Sequence, residues 1–217
     1  MALLRFRSAA DCDAVLSQVR AHLMQGGLLA YPTETVYGLG SAPTEGPLAA
    51  LSTLKGRPAR KPFLLLVSSR DMAEAWGLVL PPGAEALARE FWPGPLTLVL
   101  PGGAGRLPER LRGPEGGIAV RHTSHALMAR LVGGLGFPLT STSANSPGEP
   151  PAPGPEAIES LFPREIAAGD LLVLDGGPLG NVPPSTIVDC TGPMPVLVRE
   201  GAIPRGELRA RVGSFSP

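Results

Sequence analysis

The sequence predicts a layered α/β fold, and three features of the chain support this class. Short apolar runs alternate with segments of helical spacing, which is the order of elements in α/β proteins. Most of the runs lack in-and-out alternation, so both faces of these strands are expected to be covered. The 217 residues, 43% of them hydrophobic, are enough to bury one sizeable core. We therefore expect a single domain over residues 1–217.

Seven runs are predicted to be strands, because each is short, apolar and bounded by glycine, proline or polar residues. In chain order they are GLLAY (27–31), FLLLV (63–67), LTLVL (96–100), GIAVR (117–121), LLVLD (171–175), STIVD (185–189) and VLVRE (196–200).

Five segments between these runs have the spacing of amphipathic helices. They cover residues 8–25, 47–54, 82–91, 123–132 and 155–161. Ser8 is a plausible N-cap of the first helix, and Thr123 or Ser124 of the fourth, because a short side-chain oxygen can accept a hydrogen bond from the first turn. Two Gly/Pro-rich stretches, 101–117 and 146–155, are predicted to be long loops that could serve as lids.

Composition excludes several classes of function. The formal net charge is zero, so no overall field would hold nucleic acid or anionic lipid. Cys12 and Cys190 are too few for a disulfide framework, which favours a reducing compartment. The N-terminal residues become charged before a signal-like stretch develops, and no apolar run approaches the roughly 20 residues that span a bilayer. We expect a cytoplasmic protein that does not enter the membrane.

Common nucleotide-binding and hydrolase signatures are absent from the sequence. It has no G-x-x-x-x-G-K-[ST] loop, no G-x-G-x-x-G after a strand and no G-x-S-x-G elbow. The histidines, His22, His122 and His125, have no cysteine near them, so no metal cluster is predicted. His125 falls in the first turn of a predicted helix, where a capping or surface role is more typical than catalysis.

Four cations occur within the seven residues KGRPARK (55–61), and Gly56 and Pro58 predict a turn there rather than a helix. Such a turn can direct several cationic groups at one polyanion, with phosphates or a carboxylate as the obvious ligands. Lys55 and Lys61 are the only lysines among 19 basic residues, which indicates a requirement for compact ammonium groups. The alternative is a solvated basic loop.

Two other segments place polar side chains directly after apolar residues. AYPTETVYGLG (30–40) puts Thr33, Glu34 and Thr35 after a buried strand, where open α/β sheets bind ligands. LTSTSANSPG (139–148) offers hydroxyl and amide groups that suit phosphate or ribose oxygens. The alternatives are an ordinary strand-to-helix turn and an ordinary Ser/Asn-rich turn.

Two arginines lie at or after predicted strands. Arg121 lies at the end of one strand, and Arg199 follows the apolar residues VLV. A guanidinium directly after such an apolar run, as at Arg199, is unfavourable without an anionic partner.

In order along the chain, these motifs resemble those of the YrdC-type threonylcarbamoyl-AMP synthases. The resemblance runs from about residue 28 to residue 203 and comprises YPTETVYGLG, KGRPARKPF, FWPGPLTLVL, IAVRHTSH, STSAN, STIVD and REGAIP. It implies an open, twisted, mixed α/β sheet with a basic concave face. It also implies a nucleotidyltransferase that joins L-threonine, bicarbonate and ATP, with Mg²⁺ accompanying the ATP. The products would be pyrophosphate and threonylcarbamoyl-AMP, the intermediate for the threonylcarbamoyladenosine modification of tRNA.

The resemblance assigns two substrate sites by matching motif positions. The threonine-binding residues fall on Thr33, Thr35, Arg121 and Ser185, with Arg121 near the amino acid's carboxylate. The cationic motif falls on Lys55, Arg57 and Lys61, which would face the ATP phosphates, with Lys55 and Arg57 catalytic. The remaining ATP-binding positions fall on Ser141, Ser143, Asn145 and Arg199. The implied partners are the proteins that transfer threonylcarbamoyl to tRNA, together with weak binding of tRNA itself.

The chain departs from the family pattern at two places. Some members have a histidine near the threonine where this chain has Leu66, and the loop after S-A-N usually reads S-G where this one reads SPG (146–148). In length the chain resembles the short form of the family, which has the catalytic domain only.

Two alternative functions stay open from the sequence. The first is an RNA-binding paralogue without synthase activity, although zero net charge and an aromatic-poor cation cluster count against it. The second is a relative that transfers carbamoyl groups from another adenylate, as in hydrogenase maturation, but such chains carry additional domains. The synthase reaction needs no covalent nucleophile, because positioning and charge stabilisation supply most of the catalysis. Glu34 is the nearest carboxylate to act as a base, but a cap or a salt bridge explains it equally well.

Overall fold

The computed structural model describes residues 3–56, 62–146, 148–180 and 182–212. The strands in these ranges are β1 (Leu3–Arg5), β2 (Leu28–Tyr31), β3 (Gly38–Gly40), β4 (Leu64–Val67), β5 (Leu96–Leu100), β6 (Ile118–His122), β7 (Leu139–Ser143), β8 (Leu171–Asp175), β9 (Thr186–Asp189) and β10 (Val196–Arg199). The helices are α1 (Ala9–Met24), α2 (Glu45–Leu54), α3 (Arg70–Ala75), α4 (Pro82–Phe91), α5 (Ala126–Leu135), α6 (Pro155–Leu161), α7 (Pro163–Ala168) and α8 (Arg205–Val212). A short 3-10 turn covers Glu109–Leu111.

The ten strands form one open sheet in the order β1-β8-β2-β3-β7-β4-β6-β5-β9-β10. Four neighbouring pairs are parallel and five are antiparallel, so the sheet is mixed. The predicted α/β class with an open mixed sheet is confirmed.

Helices pack on both faces of this sheet. On one face, α1 and α5 lie together over strand residues that include Leu29, Tyr31 and Leu66. On the other face, residues of α2, α3, α4, α6 and α8 join the intervening strand residues, such as Leu28 and Ala30. Successive side chains of a strand point to opposite faces, so a strand covered on both faces is apolar throughout. This packing explains the continuous apolar runs of the inner strands. The run at 196–200 is an exception, because β10 lies at the edge of the sheet and Val196 and Val198 are exposed.

The seven predicted strands and five predicted helices are present, with ends that differ by a few residues. Ser8 caps α1 as predicted, because its Oγ accepts a hydrogen bond from the Asp11 N–H at 3.1 Å. The prediction of Thr123 or Ser124 as the cap of α5 is wrong. The cap is His125, whose Nδ1 accepts from the Met128 N–H at 3.3 Å, so the helix begins at residue 126.

Three strands, β1, β3 and β7, were not predicted, and β3 shows why. Gly40 lies so close to β7 that a Cβ atom on it would be 2.0 Å from the carbonyl oxygen of Thr140. Just beyond β3, the Ser41 N–H donates to Thr140 Oγ1 at 2.7 Å, and that hydroxyl donates to the Ser41 carbonyl at 3.0 Å. Contact with a distant strand therefore makes this glycine-rich segment a strand, and local propensity does not predict it.

The two predicted loops connect neighbouring elements. Residues 101–117 join β5 to β6 and include the 3-10 turn, and the second loop, described except for Pro147, joins β7 to α6. No helix in the described ranges is both long and apolar enough to cross a lipid bilayer.

Candidate functional site

A cavity of about 870 Å³ lies on the face of the sheet that α1 and α5 cover elsewhere, because Leu64 of β4 both lines it and packs against the residues beneath these helices. Its floor consists of alternate residues of three adjacent strands, and the residues between them point into the core on the other face. These floor residues are Thr97 and Val99 of β5, Ala119 and Arg121 of β6, and Ile187 and Asp189 of β9. Most of these side chains are short, which leaves room for a ligand above the sheet.

Every predicted site residue that the structure describes lines this cavity. The residues come from the β2–β3 turn, the end of α2, β6, β7 with its following loop, and the β9–β10 hairpin with the residue before it. They are Thr33, Thr35, Lys55, Arg121, Ser141, Ser143, Asn145, Ser185 and Arg199. Arg57 and Lys61 lie outside the described residues, so their assignment to the ATP phosphates stays a prediction.

The two threonines belong to one hydrogen-bonded turn. Thr33 Oγ1 donates to the Val36 carbonyl at 2.7 Å and accepts from the backbone N–H groups of Thr35 and Val36, each at 3.2 Å. The two threonine hydroxyls lie 3.1 Å apart, and because the Thr33 proton is already used, Thr35 is the donor between them. Thr33 therefore holds the turn, and Thr35 Oγ1 keeps acceptor capacity on the cavity side.

Arg121 reaches the same turn from β6. Its side chain is only 4% exposed, and Nη1 donates to Thr35 Oγ1 at 3.2 Å. Behind the guanidinium, Nε lies 3.7 Å from Oε1 of Glu34. Leu66 is paired with Arg121 in the β4–β6 register and is fully buried, so this departure from the family pattern places an apolar side chain next to the arginine.

Arg199 approaches the cavity from the opposite side. Its Nη2 donates to the Ser185 carbonyl at 2.7 Å, with a longer contact of 3.3 Å from Nε. The Ser185 hydroxyl is buried against Thr97, with the two side-chain oxygens 2.8 Å apart. A Cβ atom on Gly201 would lie 2.1 Å from the Pro184 carbonyl, so the turn after β10 needs glycine to close onto this wall.

Two guanidinium groups therefore border one cavity. Arg199 is an exposed residue at the end of the largely exposed β10. Desolvation of its guanidinium at the cavity wall lowers its pKa below the ordinary value, and the charge of Arg121 lowers it further. Like charges held close together are stabilised by an anion between them. The site is suited to a carboxylate or a phosphate in this position.

Lys55 is placed differently from the sequence prediction. It was expected on a loop, but it is the C-cap of α2, where it is 8% exposed. Its Nζ donates to the Ser143 carbonyl at 2.9 Å, to Asn145 Oδ1 at 2.7 Å and to the Asn145 carbonyl. The ammonium group therefore holds the loop after β7, and its predicted direct role at the phosphates remains a prediction.

Sequence reasoning missed several residues of the cavity. Thr97 is the clearest case, because it alternates with leucines in LTLVL and is the only polar residue of that strand. This alternation marks a face that is not packed against apolar side chains. Asp189 lines the cavity beside β10, and its Oδ1 accepts from both the backbone N–H and the hydroxyl of Thr191. Only its position at a strand end could have indicated it.

Comparison with known proteins identifies the group that this chain resembles. The Sua5/YciO/YrdC family model, described as "Telomere recombination", matches residues 21–201. The chain is 40% identical over 178 residues to the threonylcarbamoyl-AMP synthase of Chromohalobacter salexigens, covering 82% of this chain and 92% of that protein. It is 35% identical over 194 residues to the Pyrococcus abyssi protein of the same name, covering 89% of this chain. The chain spans 56% of the length of that second relative.

A solved structure has the same fold. The crystal structure of P. abyssi Sua5 complexed with L-threonine superimposes with a TM-score of 0.86 at 31% sequence identity. The match covers 99% of this chain and 62% of the other.

Proposed function

The chain belongs to the Sua5/YciO/YrdC family, and on that premise we propose that it is a threonylcarbamoyl-AMP synthase. The proposed reaction joins L-threonine, bicarbonate and ATP to give threonylcarbamoyl-AMP and pyrophosphate, in the cytoplasm, for the threonylcarbamoyladenosine modification of tRNA. One observation carries the proposal: two groups of residues line a single cavity. The β2–β3 turn and Arg121 are suited to an amino acid. The loop after β7, which Lys55 binds, and Arg199 are suited to a nucleotide. The two substrates would meet there.

The proposed reaction needs no covalent intermediate with the enzyme. The neutral amine of threonine attacks carbon dioxide and releases a proton to give a carbamate. With bicarbonate the same carbamate forms, and the amine proton leaves with a hydroxide as one molecule of water. A carbamate oxygen then attacks the α-phosphorus of ATP, and the bond to the β-phosphate oxygen breaks to release pyrophosphate. Mg²⁺ would enter with the ATP phosphates and neutralise their charge.

Each side chain then has a defined task. Arg121 would bind the carboxylate of threonine, and Thr35 would accept a hydrogen bond from its amine before the carbamate forms. Ser141 and Asn145 would hold oxygens of the nucleotide, with Lys55 fixing the loop. Ser143 donates its proton to Asn145 Oδ1 at 2.7 Å, so its oxygen would accept from a ribose hydroxyl. Arg199 and Ser185 would close the opposite wall. Catalysis on this account comes from positioning and charge stabilisation.

The decisive experiment uses the purified protein with ATP, Mg²⁺, labelled L-threonine and bicarbonate. We expect pyrophosphate release that requires both threonine and bicarbonate, together with labelled threonylcarbamoyl-AMP. Omitting each substrate in turn is the control. Pyrophosphate release that does not depend on threonine would refute the proposal. Tight RNA binding without formation of the adenylate would also refute it and would favour the RNA-binding alternative. The partner proteins that would use the product are those that transfer threonylcarbamoyl to tRNA.

A further inference from the structure

Glu34 and Arg121 face each other behind the cavity. Arg121 is 4% exposed and Glu34 14% exposed, and Nε of the arginine lies 3.7 Å from Oε1 of the carboxylate. Both of these atoms are buried, and neither has a hydrogen-bond partner among the described residues. A buried guanidinium needs a counter-charge, so the carboxylate stabilises Arg121 by its charge without a direct hydrogen bond.

The other oxygen of Glu34 is fixed by the junction between β6 and α5. Thr123, which is fully buried, donates its hydroxyl proton to Glu34 Oε2 at 2.5 Å. The Thr123 oxygen in turn accepts from the backbone N–H of His125 at 3.2 Å. The carboxylate is therefore held in place by the start of the helix, independently of any ligand.

The β2–β3 turn contacts Arg121 on two sides. Thr35 accepts from its Nη1, and Glu34 faces its Nε, so two residues of the same turn contact different edges of one guanidinium. The cavity is lined by Arg121 and Thr35, but Glu34 is not among the described residues that line it. This position behind the arginine argues against Glu34 as a base that touches the substrate.

We propose that Glu34, fixed by Thr123, is a positioning residue that holds Arg121 in the orientation needed to bind the carboxylate of the amino-acid substrate. The inference rests on the proposed function, because it assigns that carboxylate to Arg121. A charged group that is already oriented binds its ligand without the cost of ordering it on association.

The direction in which threonine affinity changes when Glu34 loses its charge distinguishes positioning of Arg121 from simple charge repulsion. The negative charge of Glu34 also repels the substrate's carboxylate through space, so removing it would tighten binding if orientation were unimportant. If Glu34 positions Arg121, removing its charge weakens binding instead.

The test compares four proteins by calorimetry: wild type, Glu34→Gln, Thr123→Val and the control Glu74→Gln. The control removes a carboxylate from an exposed pair with Arg70, in which both side chains are nearly half exposed. Each protein is titrated with L-threonine and, separately, with a non-hydrolysable ATP analogue. We expect Glu34→Gln to weaken threonine binding about tenfold or more, the order of one lost charge-assisted contact, with ATP-analogue affinity within about twofold of wild type. Thr123→Val should act in the same direction but less, and the control should match wild type.

Three results would overturn the inference. One is wild-type or tighter threonine binding by Glu34→Gln, and another is an equal loss of affinity for both ligands, which would indicate general unfolding of the site. If Glu34→Gln does not fold, unchanged threonine binding by Thr123→Val would count against it in the same way. A wild-type protein that binds the ATP analogue but not threonine would instead refute the proposed function, and the positioning role with it.

Discussion

The ammonium group of Lys55 donates hydrogen bonds to two oxygens of Asn145, its backbone carbonyl and its side-chain Oδ1, the latter at 2.7 Å. A further hydrogen bond of 2.9 Å reaches the carbonyl of Ser143. Because Lys55 ends α2, these contacts tie the helix to the loop that follows β7. The shape of the proposed nucleotide-binding loop therefore depends on a lysine far away in sequence.

This contact predicts a strict preference for lysine. We expect Lys55→Arg to lower turnover at least about tenfold, or about 1.4 kcal/mol of transition-state stabilisation. The planar guanidinium cannot reproduce three hydrogen bonds converging on one compact ammonium group in a site that is 8% exposed. The melting temperature should fall as well, in contrast to what a position on an exposed loop would imply. Pyrophosphate release and thermal unfolding measure the two effects.

The other lysine of the chain supplies the comparison. The sequence predicts that Lys61→Arg has the smaller effect on turnover, because a cation at the pyrophosphate end tolerates a longer reach. Wild-type kinetics in Lys55→Arg would show that any cation suffices at the end of α2.

The local sequence was enough to predict elements whose hydrophobic pattern follows directly from which of their faces are buried. The run FLLLV corresponds to β4, which is covered on both faces, and Ser8 caps α1 as its position before the helix predicts. The strand β3 was missed because Gly40 is selected by contact with Thr140, which lies in a distant strand.

The site shows the same division between local and long-range information. The motifs identified nine residues that line the cavity, because their types carry the chemistry. They did not reveal that Lys55 binds Asn145 or that Glu34 faces Arg121, since both contacts join segments that are far apart in sequence. The sequence left Glu34 as a cap, a salt bridge or a base, and the structure favours the salt bridge.

The cap of α5 predicts a pH dependence of stability. Burial lowers the pKa of His125 below the ordinary value of about 6.5, so the folded protein holds fewer protons than the unfolded chain as the pH falls through that value. The free energy of unfolding should therefore decrease from pH 7.5 to pH 5.5. Protonation of Nδ1 also removes the acceptor of the Met128 N–H.

The variant His125→Asn isolates this contribution. Its side-chain oxygen can cap the helix but does not titrate, so its free energy of unfolding should fall less over the same pH range. Urea unfolding at the two pH values measures the difference. Some dependence should remain, because burial also lowers the pKa of His122. An unchanged pH dependence in the variant would exclude His125 as the source.

RNA binding by the isolated protein should be weak. The net charge is zero, and the cations of the cavity would be engaged with the substrates. We expect a dissociation constant for tRNA no tighter than about micromolar at physiological salt, rising steeply with salt concentration as non-specific binding does. Filter binding at two salt concentrations provides the measurement. Nanomolar affinity at physiological salt would support the RNA-binding alternative.

The two threonine hydroxyls of the β2–β3 turn have different roles: the Thr33 hydroxyl is structural, and the Thr35 hydroxyl would contact the ligand. Thr33 Oγ1 donates one hydrogen bond within the turn and shares its two lone pairs among three donors, so Thr33→Val should lower stability by about 1–3 kcal/mol and impair use of every substrate. Thr35 Oγ1 accepts from Arg121 and donates to Thr33, which leaves one lone pair for an N–H group of the ligand. Thr35→Val should therefore raise the KM for threonine about tenfold while the KM for ATP changes little. Thr35→Ser, which keeps the hydroxyl, should restore most of the threonine affinity. Equal kinetics in the serine and valine variants would mean that the Thr35 oxygen neither contacts the amino acid nor holds Arg121 in a way that binding requires.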